Sequence, residues 1–197
     1  VLRFVLASTN AVVGDVGSRV IDEAIALRPL TPYGGTKAAG EMLLSAYAAS
    51  YGFAAVAIRF TNVYGAGMQT KDSVIARLMR AAMSGGSVPV YGDGEQVRDY
   101  LYVSDAARAL VRATSYPLGR FTVLTTGSGS SVSLNELIAL AEEATGKPIA
   151  KELVPAKPGE MPAVIVDVTR SAEAGFVPEY DLRGGLRATW EDFLERV

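Results

Sequence analysis

The feature that most constrains this chain is a strand, helix, strand series in its first third. Residues 1–7 read VLRFVLA and residues 53–60 read FAAVAIRF, two short apolar runs rich in β-formers. Runs of this kind suit strands buried on both faces of a sheet. Between them, Thr31 followed by Pro32 offers a capping residue with proline at the first helical position, and Gly52 offers a stop. Met42, Leu43, Ala46 and Tyr47 supply the apolar spacing of the helix this predicts, which runs to about Ser50. Two strands joined through a helix make a βαβ unit, so the expected fold is α/β with a parallel sheet and a right-handed crossover.

Later elements are shorter. Helical periodicity covers residues 72–84 and stops at Gly85 and Gly86, residues 88–94 read as a strand and turn, and residues 104–114 read as a helix. Residues 121–127 form a strand that runs into a Gly/Ser loop. Ser133 and Glu136 make a capping box for a helix ending at Gly146. A proline-rich turn around Pro155, Pro158 and Pro162 precedes a short strand at 164–168 and a last helix near 183–196, with Trp190 and Phe193 as its core residues. The change of texture places the start of a smaller lobe within or after residues 65–85.

Composition removes several chemistries. The 197 residues include no cysteine and no histidine, so there is no disulfide, thiolate nucleophile or imidazole base. Acid–base chemistry then falls to carboxylate, tyrosine, lysine or a bound cofactor. A net charge of −2 without runs of like charge gives no argument for nucleic acid or an acidic membrane. No apolar run reaches the roughly 18 residues of a membrane span. A cytoplasmic location fits the absence of cysteine.

Tyr33 and Lys37 lie four positions apart and share one helix face. A free tyrosine has a pKa of about 10, too high for a base at neutral pH. A neighbouring ammonium and the positive end of the helix dipole both favour the phenolate. Taken alone, the pair also fits a solvated helix face. However, Ser8 and Thr9 end the first strand, and Thr61 and Asn62 end the second. Ligands of open α/β sheets bind beyond the carboxyl ends of strands, so these side chains meet at one crevice. Local loop hydrogen bonding is the alternative reading of Ser8 and Thr9.

Six stretches, FVLASTNAVVG (4–14), PYGGTK (32–37), IRFTNVYG (58–65), VYGDGEQVRDYLYVSDAARA (90–109), TTGSGSSVSLNEL (125–137) and KPGEMPAVIVD (157–167), carry a resemblance. In order and spacing they resemble the extended short-chain dehydrogenase/reductase family, in its nucleotide-sugar epimerase branch. The resemblance implies the C-terminal part of a Rossmann-like, doubly wound parallel sheet plus a smaller α/β substrate-binding lobe. Residues 1–65 would belong to the NAD-binding domain and 66–197 mainly to the lobe, with segments around 95–125 returning to the first. It implies NAD as cofactor, held by Tyr33, Lys37 and Phe60, and Thr9, Tyr33 and Lys37 as the catalytic set. Substrate would be a nucleotide-diphosphate sugar, most simply a UDP-sugar, met by Ser8, Asn62, Arg98 and Lys157, with Pro89, Val90 and Tyr91 at the base. Arg98 beside Asp99 also fits a structural ion pair, Lys157 a surface lysine, Asp105 a cap for its own helix, and Gly92 to Gly94 a plain turn.

Departures from the family pattern narrow the reaction. Dehydratases of the family carry an acidic pair after the serine or threonine, and decarboxylases a glutamate, where this chain has Asn10 and Ala11. Relatives acting at carbons 3 and 5 use a cysteine and a histidine, absent here. What remains is hydride chemistry: epimerisation at C4 through a transient 4-keto sugar, or an NAD(P)-dependent dehydrogenase or reductase. A non-catalytic nucleotide-sugar-binding module is a third reading. Val13 stands where the family has tyrosine, and Val164 where some epimerases carry a bulky aromatic, leaving space for an N-acetyl group. The glycine fingerprint for the dinucleotide and the residue selecting NAD over NADP do not occur in these residues, so the chain corresponds to the later part of such an enzyme. Alone, it is expected to bind NAD poorly and to be inactive. The family also implies a homodimer, formed partly through the helix that starts near Pro32.

Overall fold

The computed structural model describes residues 2–116, 119–156 and 162–196. In chain order the first half has β1 (Arg3–Thr9), a 3-10 turn (Asn10–Val12), β2 (Val20–Ile21), α1 (Pro32–Tyr51), β3 (Ala54–Phe60), β4 (Asn62–Tyr64), α2 (Val74–Ser84) and β5 (Ser87–Tyr91). The second half has β6 (Val97–Tyr102), α3 (Val103–Ala113), β7 (Phe121–Thr126), β8 (Ser131–Ser133), α4 (Leu134–Thr145), β9 (Ala150–Val154), β10 (Ile165–Val166), α5 (Thr169–Glu173) and α6 (Leu182–Glu195).

The expected strand, helix, strand series is present. β1, β3 and β7 form a parallel sheet in that order, with Thr9 opposite Phe60 and Phe60 opposite Thr126. Because all three strands run the same way, their carboxyl ends share one edge. Val56, Ile58, Phe60 and Leu124 bury one apolar cluster against Ala106, Ala109 and Phe176.

Two expectations about this unit are corrected. β1 is not buried on both faces: Phe4 remains 48% exposed, and among the described residues β1 pairs with β3 alone. The apolar residues expected to seat α1 also point outward, with Met42, Leu43 and Tyr47 exposed and Tyr47 stacked on Tyr51. The buried stripe is instead Gly34, Ala38, Glu41, Leu44 and Ala48. Small residues there let the helix backbone press on its neighbours. A Cβ on Gly34 would lie 2.6 Å from the Ala11 carbonyl oxygen. Thr31 caps the helix by accepting from the Gly34 amide at 3.0 Å, and Gly52 ends it in the left-handed region at φ 74°.

The rest of the chain packs α2, α4 and α6 around Ile75, Leu78, Met79, Leu137, Ile138, Leu186 and Phe193, with Trp190 lying partly buried on the cluster. The Ser133–Glu136 capping box closes in both directions. β5 pairs in parallel with β9, and β6 lies between β4 and β8, so residues 97–102 and 150–154 are strands that hydropathy did not mark. The strand expected at 164–168 is only β10, two residues paired with β2. Among the described residues no helix is long and apolar enough to cross a membrane.

Candidate active site

The carboxyl edge of the parallel sheet opens on a cleft of about 620 Å³. Thr9 reaches it from the end of β1, Phe60 and Thr61 from the end of β3, and Tyr33 and Lys37 from the first two turns of α1. The cap at Thr31 determines this placement: it begins the helix two residues before Tyr33, which stands half exposed at the cleft. The Lys37 ammonium donates to the Ala7 carbonyl at 2.9 Å and lies 5.9 Å from the centre of the Tyr33 ring. Thr9 accepts from the Ala11 amide at 3.2 Å and caps the 3-10 turn, so it takes part in local loop bonding while still lining the cleft. Ser8 also borders the cleft, but its hydroxyl donates to the buried carboxylate of Glu41.

The opposite wall comes from β4 and β6. Asn62 lines the cleft and donates its amide to the Asp99 carbonyl at 2.9 Å. The Asp99 side chain is fully buried and accepts from Thr61 Oγ1 at 2.8 Å, from the amide of Ser128 at 2.8 Å and that of Gly129 at 2.9 Å, and from Ser128 Oγ at 2.9 Å. That carboxylate staples the Gly/Ser loop to β6. A Cβ on Gly127 would fall 2.6 Å from Asp99 Oδ1, so only glycine fits there. Arg98, the preceding residue, lines the cleft and donates to the Val97 carbonyl at 2.8 Å.

Sequence reasoning missed several cleft residues. Tyr64 and Tyr100 lie on strands too short or too mixed in polarity to mark. Burial pushes the Tyr100 phenol up to about 12, with the Arg98 charge pulling the other way. Burial likewise raises the Tyr64 phenol, helped by Tyr102, Asp181 and Asp105. Both stay neutral hydroxyls at working pH. Lys71 enters from the loop before α2, with its ammonium 3.4 Å from the Val63 carbonyl, and no motif announces it. Ser73 stands at the N-cap position of α2, yet its hydroxyl makes no capping bond and borders the cleft. Val164, buried at 2% exposure, forms part of the floor.

Other expected residues lie elsewhere. Pro89, Val90 and Tyr91 are on β5, outside the cleft lining, and the Val90 side chain is fully buried in the core of the second half. Lys157 lies outside the described residues. Asp105 does not cap its own helix. It is fully buried and accepts from the amides of Glu179 and Tyr180 and from Arg108, fastening a distant segment to α3. Residues 92–94 form a turn, in which Asp93 accepts from the Glu95 amide.

The cleft lining contains Lys37, Lys71 and Arg98 and, among the described residues, no acidic side chain. The charge of such a surface suits anions, with hydroxyl, phenol and amide groups beside it.

The chain is similar to known proteins. Over 194 residues the chain is 38% identical to a dTDP-glucose 4,6-dehydratase of Streptomyces griseus, covering 96% of this chain and 58% of that protein. The structure of a UDP-glucose 4-epimerase from Thermotoga maritima with UDP-glucose superposes with a TM-score of 0.92 at 32% identity, covering 99% of this chain and 64% of that one. MoeE5 in complex with UDP-glucuronic acid and NAD superposes with a TM-score of 0.92 at 38% identity, covering 100% of this chain and 66% of the other. The chain thus spans less than two thirds of the length of these proteins. Residues 1–120 match the NAD dependent epimerase/dehydratase family, and the Rossmann-like α/β fold agrees with the match, so the chain belongs to that family.

Proposed function

We propose that the protein epimerises a nucleotide sugar at C4, with NAD as resident cofactor and a UDP-sugar as substrate. The observation that carries this is the meeting of Thr9, Tyr33 and Lys37 in one cleft with Asn62 and Arg98, while Asn10 and Ala11 hold no ionisable group beside them.

The residues fit the nicotinamide end of NAD. Lys37 and Tyr33 stand side by side at the cleft, Phe60 lines it, and among the described residues no carboxylate lines it to oppose a diphosphate. When bound, the cofactor supplies hydride uptake and return. Tyr33 removes the proton of the sugar 4-hydroxyl through its phenolic oxygen and later returns it. Lys37, held on the Ala7 carbonyl, keeps its side chain beside the Tyr33 ring. Thr9 hydrogen-bonds the reacting oxygen. Arg98 and Asn62 grip the diphosphate, a task suited to a guanidinium fork. Lys157 is proposed as a second cation for it. Pro89, Val90 and Tyr91 would meet the base, Val90 through its backbone since its side chain is buried. Ser8 belongs to the substrate wall through its strand rather than its bonded hydroxyl. Val164 leaves room for an N-acetyl group.

A dehydrogenase or reductase on the same scaffold is the second reading, because Thr9, Tyr33 and Lys37 in this cleft would serve a single hydride transfer equally well. The family's dehydratase chemistry needs acid and base groups that Asn10 and Ala11 do not provide. We also propose a homodimer through the exposed face of α1, where Met42, Leu43, Tyr47 and Tyr51 form an apolar strip. The split into a cofactor domain at 1–65 and a sugar-nucleotide lobe at 66–197, and a cytoplasmic location, belong to the same proposal.

The test is to incubate the complete protein with UDP-galactose and UDP-N-acetylgalactosamine and follow sugar identity together with absorbance of reduced cofactor. Inversion at C4 without net NADH supports the reading. Stoichiometric cofactor turnover would establish the dehydrogenase instead.

A further inference from the structure

Glu41 is a buried carboxylate that the mechanism above does not use. It stands one helical turn beyond Lys37 and two beyond Tyr33, on the face of α1 that meets the sheet. It is 2% exposed, and its partner Arg59 on β3 is 3% exposed. Arg59 Nε donates to both carboxylate oxygens, at 3.1 and 3.2 Å, and Nη2 donates to Oε2 at 2.8 Å. The Ser8 hydroxyl donates to Oε1. Ser8 and Arg59 face each other across β1 and β3, in the pair immediately before Thr9 and Phe60.

A buried ion pair adds little net stability, because desolvation offsets its attraction. What it does supply is geometry, since a forked guanidinium–carboxylate contact tolerates little displacement. Here one carboxylate holds the helix that carries Tyr33 and Lys37 to the ends of two strands, one of which carries Thr9. Slippage of α1 along the sheet would change the spacing between the Tyr33 phenol and the Thr9 hydroxyl. Displacement of about 1 Å in such a pair costs on the order of 100-fold in rate.

Resting on the C4-epimerase reading, we infer that Glu41, Arg59 and Ser8 are positioning residues: they set the registry between Tyr33 and Thr9 and act on turnover rather than on substrate affinity.

The test uses the complete protein. Ser8→Ala is expected to lower kcat by about 10-fold and Glu41→Gln by about 100-fold, with KM for the UDP-sugar within threefold. The affinity for UDP, measured by calorimetry without turnover, is expected to stay within the same range. The decisive comparison is Ser8→Ala combined with Thr9→Ala. If the network acts through Thr9, the double variant is no slower than Thr9→Ala alone. Losses that multiply would overturn the inference, as would a lowered Tm with unchanged kcat, or UDP affinity falling in step with kcat. Should Glu41→Gln fail to fold, Ser8→Ala removes a single hydroxyl and still decides. Wild-type protein without sugar turnover would sink the functional reading and this inference together. Active wild type with an unaffected Ser8→Ala variant would sink the inference alone.

Discussion

Lys37 is bonded to the Ala7 carbonyl, at 2.9 Å, two residues before Thr9 in the chain. A side chain from α1 is thereby fixed to the strand whose end it must work beside. Tyr33→Phe is expected to reduce kcat by about 100- to 10,000-fold, with UDP affinity within threefold. The half-exposed ring lies outside the core, so the Tm should hold. Lys37→Met loses both the charge and the bond to β1, and is expected to slow turnover at least as much. Rates near wild type in either variant would remove Tyr33 and Lys37 from the chemistry.

Val164 lies at 2% exposure on the floor of the cleft. Val164→Tyr is expected to shift the ratio of kcat/KM for N-acetylated against plain UDP-sugars by at least tenfold toward the plain sugar. Overpacking there costs about 1–3 kcal/mol in stability. An unchanged ratio in a folded variant counts against the N-acetyl pocket.

Asp99 has its carboxylate shared among Thr61, Ser128 and Gly129. Asp99→Ala strands those donors in a buried site, at a cost of about 3 kcal/mol or more. Asp99→Asn keeps the shape and should cost less. Both are expected to weaken UDP binding, because Arg98 and Asn62 are placed by the same stretch of β6. Chemical denaturation and calorimetry on the two variants separate the effects.

Asp192 on α6 accepts from the Gly67 amide at 2.8 Å, from Arg196 at 2.7 Å and from Gln69. The Gly67 amide is the largest influence holding its carboxyl below the usual range, with Arg196 and Gln69 adding to it. A depressed folded pKa contributes stability that is complete above the unfolded value of about 4 and disappears as pH falls through the folded one. Asp192→Asn is therefore expected to lower the Tm by roughly 2–4 °C at neutral pH, with the gap closing in acid. A gap that stays constant between about pH 7 and pH 3 would contradict this.

The cleft's main residues were legible because local punctuation placed them. Thr31 and Pro32 start α1 beside Tyr33, and two apolar runs end at Thr9 and Phe60, so a parallel sheet brings them together. The inner face of α1 was not legible. Hydropathy favours Met42 and Tyr47 over Gly34, Ala38 and Glu41, although small residues permit the closest approach to the sheet. Burial of Glu41 depends on Arg59, 18 positions away, a pairing no local pattern encodes. Lys71 and Tyr100 enter the cleft only through tertiary folding. β2 and β10 are two residues each, too short for any periodicity to register.

The cationic cleft sits in a chain whose net charge is −2. Its attraction is therefore local, extending about one Debye length, roughly 8 Å at physiological ionic strength. A compact dianion that fits inside would face a lining that includes Lys37, Lys71 and Arg98. A long polyanion kept outside the cleft gains little from charge it cannot approach within that length. On the proposed function, selection between the two would rest on where the charge is placed rather than how much of it there is.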